Sequence, residues 1–292
     1  MFNAAAVARG ICAPGGLVAR LDSRRGIAVP GTIRYRYWRE ALLLLTIVLS
    51  FLAVTRIEPI PQPQSYHDFA DRRDLGGIPN VLDVTTNLPF LLVGVLGGLL
   101  CYRDPPAVAR ASWIVLFIAV AAVAVGSAWY HLAPSDASLV WDRLPMAVGF
   151  MALFSALLSE TINASLERYL LVPLVVAGVA SVLYWYANDD LRFYLWVQFI
   201  PLICIAMVAV LFRARYSKQY FLLLALALYI LAKAAEIYDR TVFDATHHLL
   251  SGHSLKHLLA ALALLMIVLM LGLRRPRSDG SLPARTEPSL SR

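Results

Sequence analysis

In the stretch SGHSLKHLLAALALLMIVLML, which begins at Ser251, two histidines stand four residues apart at the lip of an apolar run. On a helix, His253 and His257 project from the same side, one turn apart, so both rings can reach a single ion. An imidazole in hydrocarbon leaves a polar nitrogen without water and asks for a metal, a proton or a hydrogen-bond acceptor. The pair by itself fits two packed, hydrogen-bonded side chains equally well. A second stretch, GSAWYH, ends another apolar run and presents Ser127 and His131, again four apart. Three neutral imidazoles with one open position are the ligand set of a catalytic zinc, whose bound water is acidified toward pH 7. Asp142 follows in VWDRLPM, at the head of the next apolar run. It reads either as a helix-start charge or partner of Arg143, or as a general base or hydrogen-bond acceptor for the water on the metal. Ser127 reads either as a hydroxyl bonded back to its own helix or as a donor to the oxyanion that develops on a carbonyl.

These residues must be positioned by elements that the composition already specifies. The chain has 292 residues, of which 59% are hydrophobic and 15% charged. Its apolar residues come in blocks of a length that crosses a bilayer, which predicts an all-α, polytopic membrane helical bundle. Eight spans are predicted, at about 37–57, 81–101, 112–131, 141–159, 169–187, 193–212, 219–236 and 254–273. The fifth and sixth are separated only by NDDLR, where Asp189 and Asp190 mark a turn. Residues 1–36, with six arginines and one acid, read as a disordered basic tail, and residues 274–292 as a second tail. Cys12, Cys101 and Cys204 are too few and too scattered for a disulfide framework or a thiolate metal site.

The net charge of +7 follows topology. With eight spans both termini share one face, and that face collects Arg39, Arg103, Arg110, Arg168, Arg213, Arg215 and Lys218 besides the arginines of the tails. The opposite face carries only Arg72, Arg73, Arg192 and Arg240 in its loops, among many acids. The positive-inside rule makes the first face, with both termini, cytoplasmic. No basic stripe with interleaved aromatics suggests a nucleic-acid partner. All six histidines, His67, His131, His247, His248, His253 and His257, fall on the other face, which places the candidate site at the extracytoplasmic side of an integral membrane protein. Such a site suits hydrolysis of an amide or ester whose acyl chains already lie in the bilayer. A proton-coupled transporter would use the same groups as a relay but calls for charged or broken helices near the midplane. A ligand receptor would call for longer cytoplasmic coupling loops.

Ser127-x-x-x-His131, then Asp142, then His253-x-x-x-His257 resembles the alkaline ceramidases, within the wider group of membrane metallohydrolases that includes the progestin and adiponectin receptors. The stretches HDFADRRDLGGIPNVLDVTTNLPFLL, WDRLPM and SGHSLKH look like the ceramidase branch in particular. The resemblance covers about residues 66–273 and implies a seven-helix catalytic core, with the helix at 37–57 as an additional N-terminal transmembrane segment. It implies zinc held by His131, His253 and His257, with Ser127 and Asp142 beside it, and hydrolysis of ceramide-like N-acyl lipids to a fatty acid and a sphingoid or other amine. Eukaryotic alkaline ceramidases also carry an acidic calcium loop containing Trp, Glu and Asn before the first core helix. Here the equivalent stretch offers Asp68, Asp71, Asp74, Asn80 and Asp83 without Trp or Glu. These oxygens could bind calcium, but a solvated acidic loop is the reading we favour. Near the end of the seventh span, Lys233, Glu236 and Arg240 are spaced for mutual ion pairing within the bundle.

Overall fold

The structure is a computed structural model that describes residues 37–213 and 215–277. The chain divides into two units at Trp38/Arg39, and the helices that build the site all belong to the second. The expected N-terminal tail and residues 278–292 lie outside the described residues. The described residues are helical, without named strands, and seven of their helices are long and apolar enough to cross a membrane. After α1 (Trp38–Val54) the first of these seven is Val81–Arg103, made of α2 (Val81–Thr85) and α3 (Leu88–Arg103). It is followed by α4 (Arg110–Leu132), α5 (Asp136–Thr161), α6 (Leu166–Asn188) and α7 (Arg192–Leu211). Then come α8 (Tyr220–Ile237), the short α9 (Asp239–Ala245) and α10 (Gly252–Leu273). Each predicted core span falls on one of the seven helices, because a hydrocarbon layer about 30 Å thick dictates a run of that length wherever a helix crosses it.

Local chemistry sets the ends. Ser135 and Ser138 cap each other's backbone at the start of α5, and Ser251 accepts from the Ser254 N–H at the start of α10. Pro145, Pro173 and Pro201 sit inside α5, α6 and α7, where neighbouring helices make up for the lost backbone bond. The expected additional span, at 37–57, is covered only in part by a described helix. A helix is present there, but it has 17 residues and ends at Val54. It borders residues outside the described ones and is not among the seven.

The segment after α1 is tied to the bundle by the acids that the sequence pattern placed in a simple turn. The Ile60 and Gln62 N–H groups donate to Asp190 and Asp189, and Leu191 N–H donates to the Ile60 carbonyl. Arg192 beside Asp190 holds its carboxyl below the usual carboxylate range, against the opposing effect of burial. A carboxyl whose folded pKa is depressed adds stability above its unfolded pKa and loses it as pH falls through the folded value. Asp190→Asn is therefore expected to flatten the acid limb of a thermal-stability profile below about pH 4. Superimposable acid limbs for the two proteins in detergent would contradict that role.

At the other end the first residues of the expected C-terminal tail are docked. Arg274 forms an ion pair with Glu160 at 2.7 Å, and Arg277 N–H donates to the Arg215 carbonyl.

Candidate metal centre

His131 lies at the end of α4, while His253 and His257 open α10. The fold brings the three together, and all are buried, at 0%, 4% and 3% exposure. Their ring centroids form a nearly equilateral triangle with sides of 4.8, 5.0 and 4.9 Å. One ligand nitrogen from each ring lies within 4.8 Å of the others. Among the described residues this is the group of His, Cys, Asp or Glu that could hold a metal ion.

The hydrogen bonds around the rings test whether a cation fits. Both nitrogens of His131 are buried without a hydrogen-bond partner. A buried polar atom left so is costly, and a metal ligated by one of them supplies the missing interaction. At His257, Nδ1 stands 3.0 Å from the Thr86 hydroxyl, which itself donates to the Leu82 carbonyl at 2.6 Å. The Thr86 proton being committed, Nδ1 must donate, which leaves Nε2 bare on the other side of the ring. That is the tautomer a metal ligand needs, fixed by a neighbour as in known metal sites. At His253, Nε2 accepts from the Lys256 ammonium at 2.9 Å. That nitrogen is unprotonated, but its one lone pair is engaged by the ammonium, so Lys256 must turn away, toward Glu236, for His253 to ligate a metal through it.

The backbone around the triangle is pinned by side chains to which the sequence pattern gave no such role. Asp239 accepts from the His253 N–H at 2.7 Å and from the Ala70 N–H at 2.8 Å, joining the loop before α2 to the start of α10. The Asn80 side chain donates to the His131 carbonyl. Phe69 packs its ring against His131 and His253, with centroids 4.7 and 4.6 Å apart, and so seals the triangle from above.

Ser127, one turn before His131, lies beside the Asp142 carboxyl of α5. Both, with His257, line a cavity of about 270 Å³ whose walls deeper in are apolar, Leu116, Leu153 and Ile267 among them. Asp142 does not pair with Arg143 among the described residues, and Ser127 meets the carboxylate across the helix pair. What allows this is Gly126: a Cβ there would collide with the backbone oxygen of Trp141. Gly126→Ala is expected to push α4 from α5, at an overpacking cost of about 1–3 kcal/mol. It should lower both the melting temperature and turnover, and a protein with unchanged melting and activity would refute the close-packing role.

The acidic loop departs from the solvated reading. Asp71 and Asp83 are fully buried, so the loop is not simply solvated. Asp71 is paired with Arg73, and Asp83 accepts from the Ser251 and Ser254 hydroxyls. Asp68 is paired with Arg72 and Arg240, Asp74 accepts from the Gly77 N–H, and Asn80 is committed to His131. The five make up no candidate metal group among the described residues. The expected ladder is corrected too. Lys233 and Glu236 do pair, but Arg240 turns to Asp68, and the second cation on Glu236 is Lys256, at 3.0 Å. Lys256 could have been flagged from sequence, since an ionisable residue inside an apolar span calls for a partner. Asp239 carried no such signal.

In comparisons with known proteins, the profile of the family described as Ceramidase matches residues 78–285. No curated protein matches the chain.

Proposed function

The chain belongs to the ceramidase family, and on that footing we propose that it is a zinc-dependent intramembrane amidase acting on ceramide-like N-acyl lipids. The family match points to a ceramide-hydrolysing membrane enzyme and does not favour a receptor or a transporter. The observation that carries the zinc reading is the buried triangle of His131, His253 and His257 beside Ser127 and Asp142, at the polar head of an apolar cavity. Three imidazoles are a donor set that zinc takes readily, with one position left open. Bound there, zinc supplies the acidification of a water and the polarisation of an amide carbonyl.

The chain's own residues do the rest. The apolar wall lined by Leu116, Leu153 and Ile267 receives a hydrocarbon chain and holds the amide at the polar end. The Asp142 carboxylate takes a proton from the water as it adds to the amide carbonyl. The Ser127 hydroxyl, beside Asp142, gives its proton's hydrogen bond to the oxyanion that develops on the carbonyl. Asp142 then delivers its proton to the leaving nitrogen, the C–N bond breaks, and a neutral amine and a fatty acid depart. Lys233 and Lys256, both bound to Glu236, stiffen the wall beside His253. We place the site toward the extracytoplasmic face and the C-terminus in the cytoplasm, because the basic residues between spans gather at the opposite end from the histidines.

The test is turnover by the purified protein of a panel of N-acyl lipids, with products identified by mass spectrometry. Release of fatty acid that stops on chelation and returns with added zinc is the expected result. Fatty-acid release that survives complete zinc removal would contradict the proposal.

A further inference from the structure

Arg143 is the next residue after Asp142, and its side chain has an unusual setting. It is 5% exposed, lines the same cavity, and has no carboxylate within ion-pair distance among the described residues. One terminal nitrogen, Nη2, donates to the Gln62 side chain at 2.7 Å, while Nη1 is buried with no partner. The guanidinium carbon stands over three rings, 4.0 Å from the centroid of Trp185, 4.8 Å from Tyr194 and 5.6 Å from Tyr66. The aromatic faces offset part of the cost of burying the charge, as cation–π contacts do, but they accept no hydrogen bond in the plane of the guanidinium. A fork of donors is therefore held rigid by stacking on its faces, with one terminal nitrogen left unpaired beside the cavity.

The charge balance of the cavity points the same way. Its charged lining residues are Arg143, Lys233 and Lys256 against Asp142 and Glu236, one positive charge in excess before any metal is counted. Both lysines are already bound to Glu236. The cation with donor capacity to spare is Arg143, and planar guanidinium donors match carboxylate and phosphate oxygens. In a poorly hydrated cavity such a charge attracts an anion far more strongly than it would in water.

We propose that Arg143 receives an oxyanion on the amine side of the substrate, so that the preferred substrates are N-acyl lipids bearing a carboxylate or phosphate near the scissile nitrogen. The inference rests on the amidase reading and narrows its substrate class. Asp142 and Arg143 line the same cavity, so the reacting amide and the anion are bound within one ligand-sized space. A head group without an anion leaves Nη1 unpartnered, and a site built to bind a polar group discriminates against an analogue that lacks it.

The experiment compares kcat/KM for three lipids of equal acyl length: a neutral ceramide, an N-acyl amino acid and an N-acyl sphingoid phosphate. In the wild type at least one anionic lipid is expected to exceed ceramide by about tenfold or more, and which one does so separates carboxylate from phosphate. The anionic-to-neutral ratio should fall to one or below in Arg143→Gln and stay above one in Arg143→Lys. A ratio that is the same in wild type and Arg143→Gln overturns the proposal while leaving the amidase reading intact. The free fatty-acid product is a second source of the same carboxylate chemistry. If Arg143→Gln weakens inhibition by fatty acid and leaves the head-group ratio unchanged, the residue serves the product and the proposal fails. If the wild type cleaves none of the lipids, the amidase reading fails, and binding decides this one separately. Thermal stabilisation by an N-acyl amino acid beyond that by the corresponding N-acyl amino alcohol, lost in Arg143→Gln, supports it, and equal stabilisation overturns it. Should Arg143→Gln not fold, a wild-type preference for the neutral lipid overturns the proposal on its own.

Discussion

Replacing His131 with Ala is expected to abolish fatty-acid release from ceramide-like lipids and to take the bound zinc from about one ion per chain to none that survives purification. The size of the effect follows from the placement of the ring. His131 contributes the one ligand from α4, while His253 and His257 both come from α10. Two histidines on one helix make only half of a tetrahedral site, and the third is what joins α4 to α10 through the ion. The substitution also removes two buried nitrogens that have no protein partner. Without zinc, the apoprotein should therefore lose little by the change, and can even gain from shedding an unsatisfied polar group. The combined signature is loss of metal and activity, with apoprotein melting close to that of wild-type apoprotein. Retained zinc in His131→Ala would show that the ion sits elsewhere.

Asp142→Asn should give the complementary result, with metal retained and chemistry lost. The amide is nearly isosteric with the carboxylate, but it cannot take a proton from water. General acid–base catalysis by a positioned side chain is worth roughly 10²–10⁴ in rate. Because Asp142 is proposed to serve at both the attack and the departure of the amine, a loss toward the upper end, about 10⁴ in kcat, is expected. KM should change little, since the acyl chain is held by the apolar wall and not by this carboxyl. Zinc content equal to wild type, measured on the same preparation, separates this outcome from that of His131→Ala. A variant retaining a tenth or more of wild-type kcat would exclude Asp142 as the base.

Much of this arrangement is legible in the sequence alone. The seven spanning helices can be read because a bilayer imposes one length on every crossing, and that length is written in the sequence as uninterrupted hydrocarbon. The gathering of His131, His253 and His257 is foreshadowed by a four-residue spacing on one helix and by a common depth at one face. Partnerships between elements with no shared periodicity cannot be read. Glu236 on α8 and Lys256 on α10 meet across two helices, whereas the i, i+4 spacing of Glu236 and Arg240 suggests a pair that the break between α8 and α9 prevents. The acidic loop looks solvated because its charges are dense, yet Asp71 and Asp83 fold beneath it onto Arg73 and the serines of α10. The contacts that tie the segment after Val54 to the bundle, through Ile60 and Gln62 to the α6–α7 turn, likewise join elements with no shared periodicity.

The rings of Trp185, Tyr194 and Tyr66 around Arg143 belong to the same class of unreadable feature. They come from α6, α7 and the loop before the core, and nothing in WDRLPM announces them.

The most direct measurement is an anomalous difference map at the zinc edge from crystals of the protein purified with zinc present. A single peak within about 2.0–2.1 Å of one nitrogen from each of His131, His253 and His257 is the predicted result. An absent peak, or one on the acidic loop away from the three rings, would contradict a histidine-held zinc at the head of the cavity.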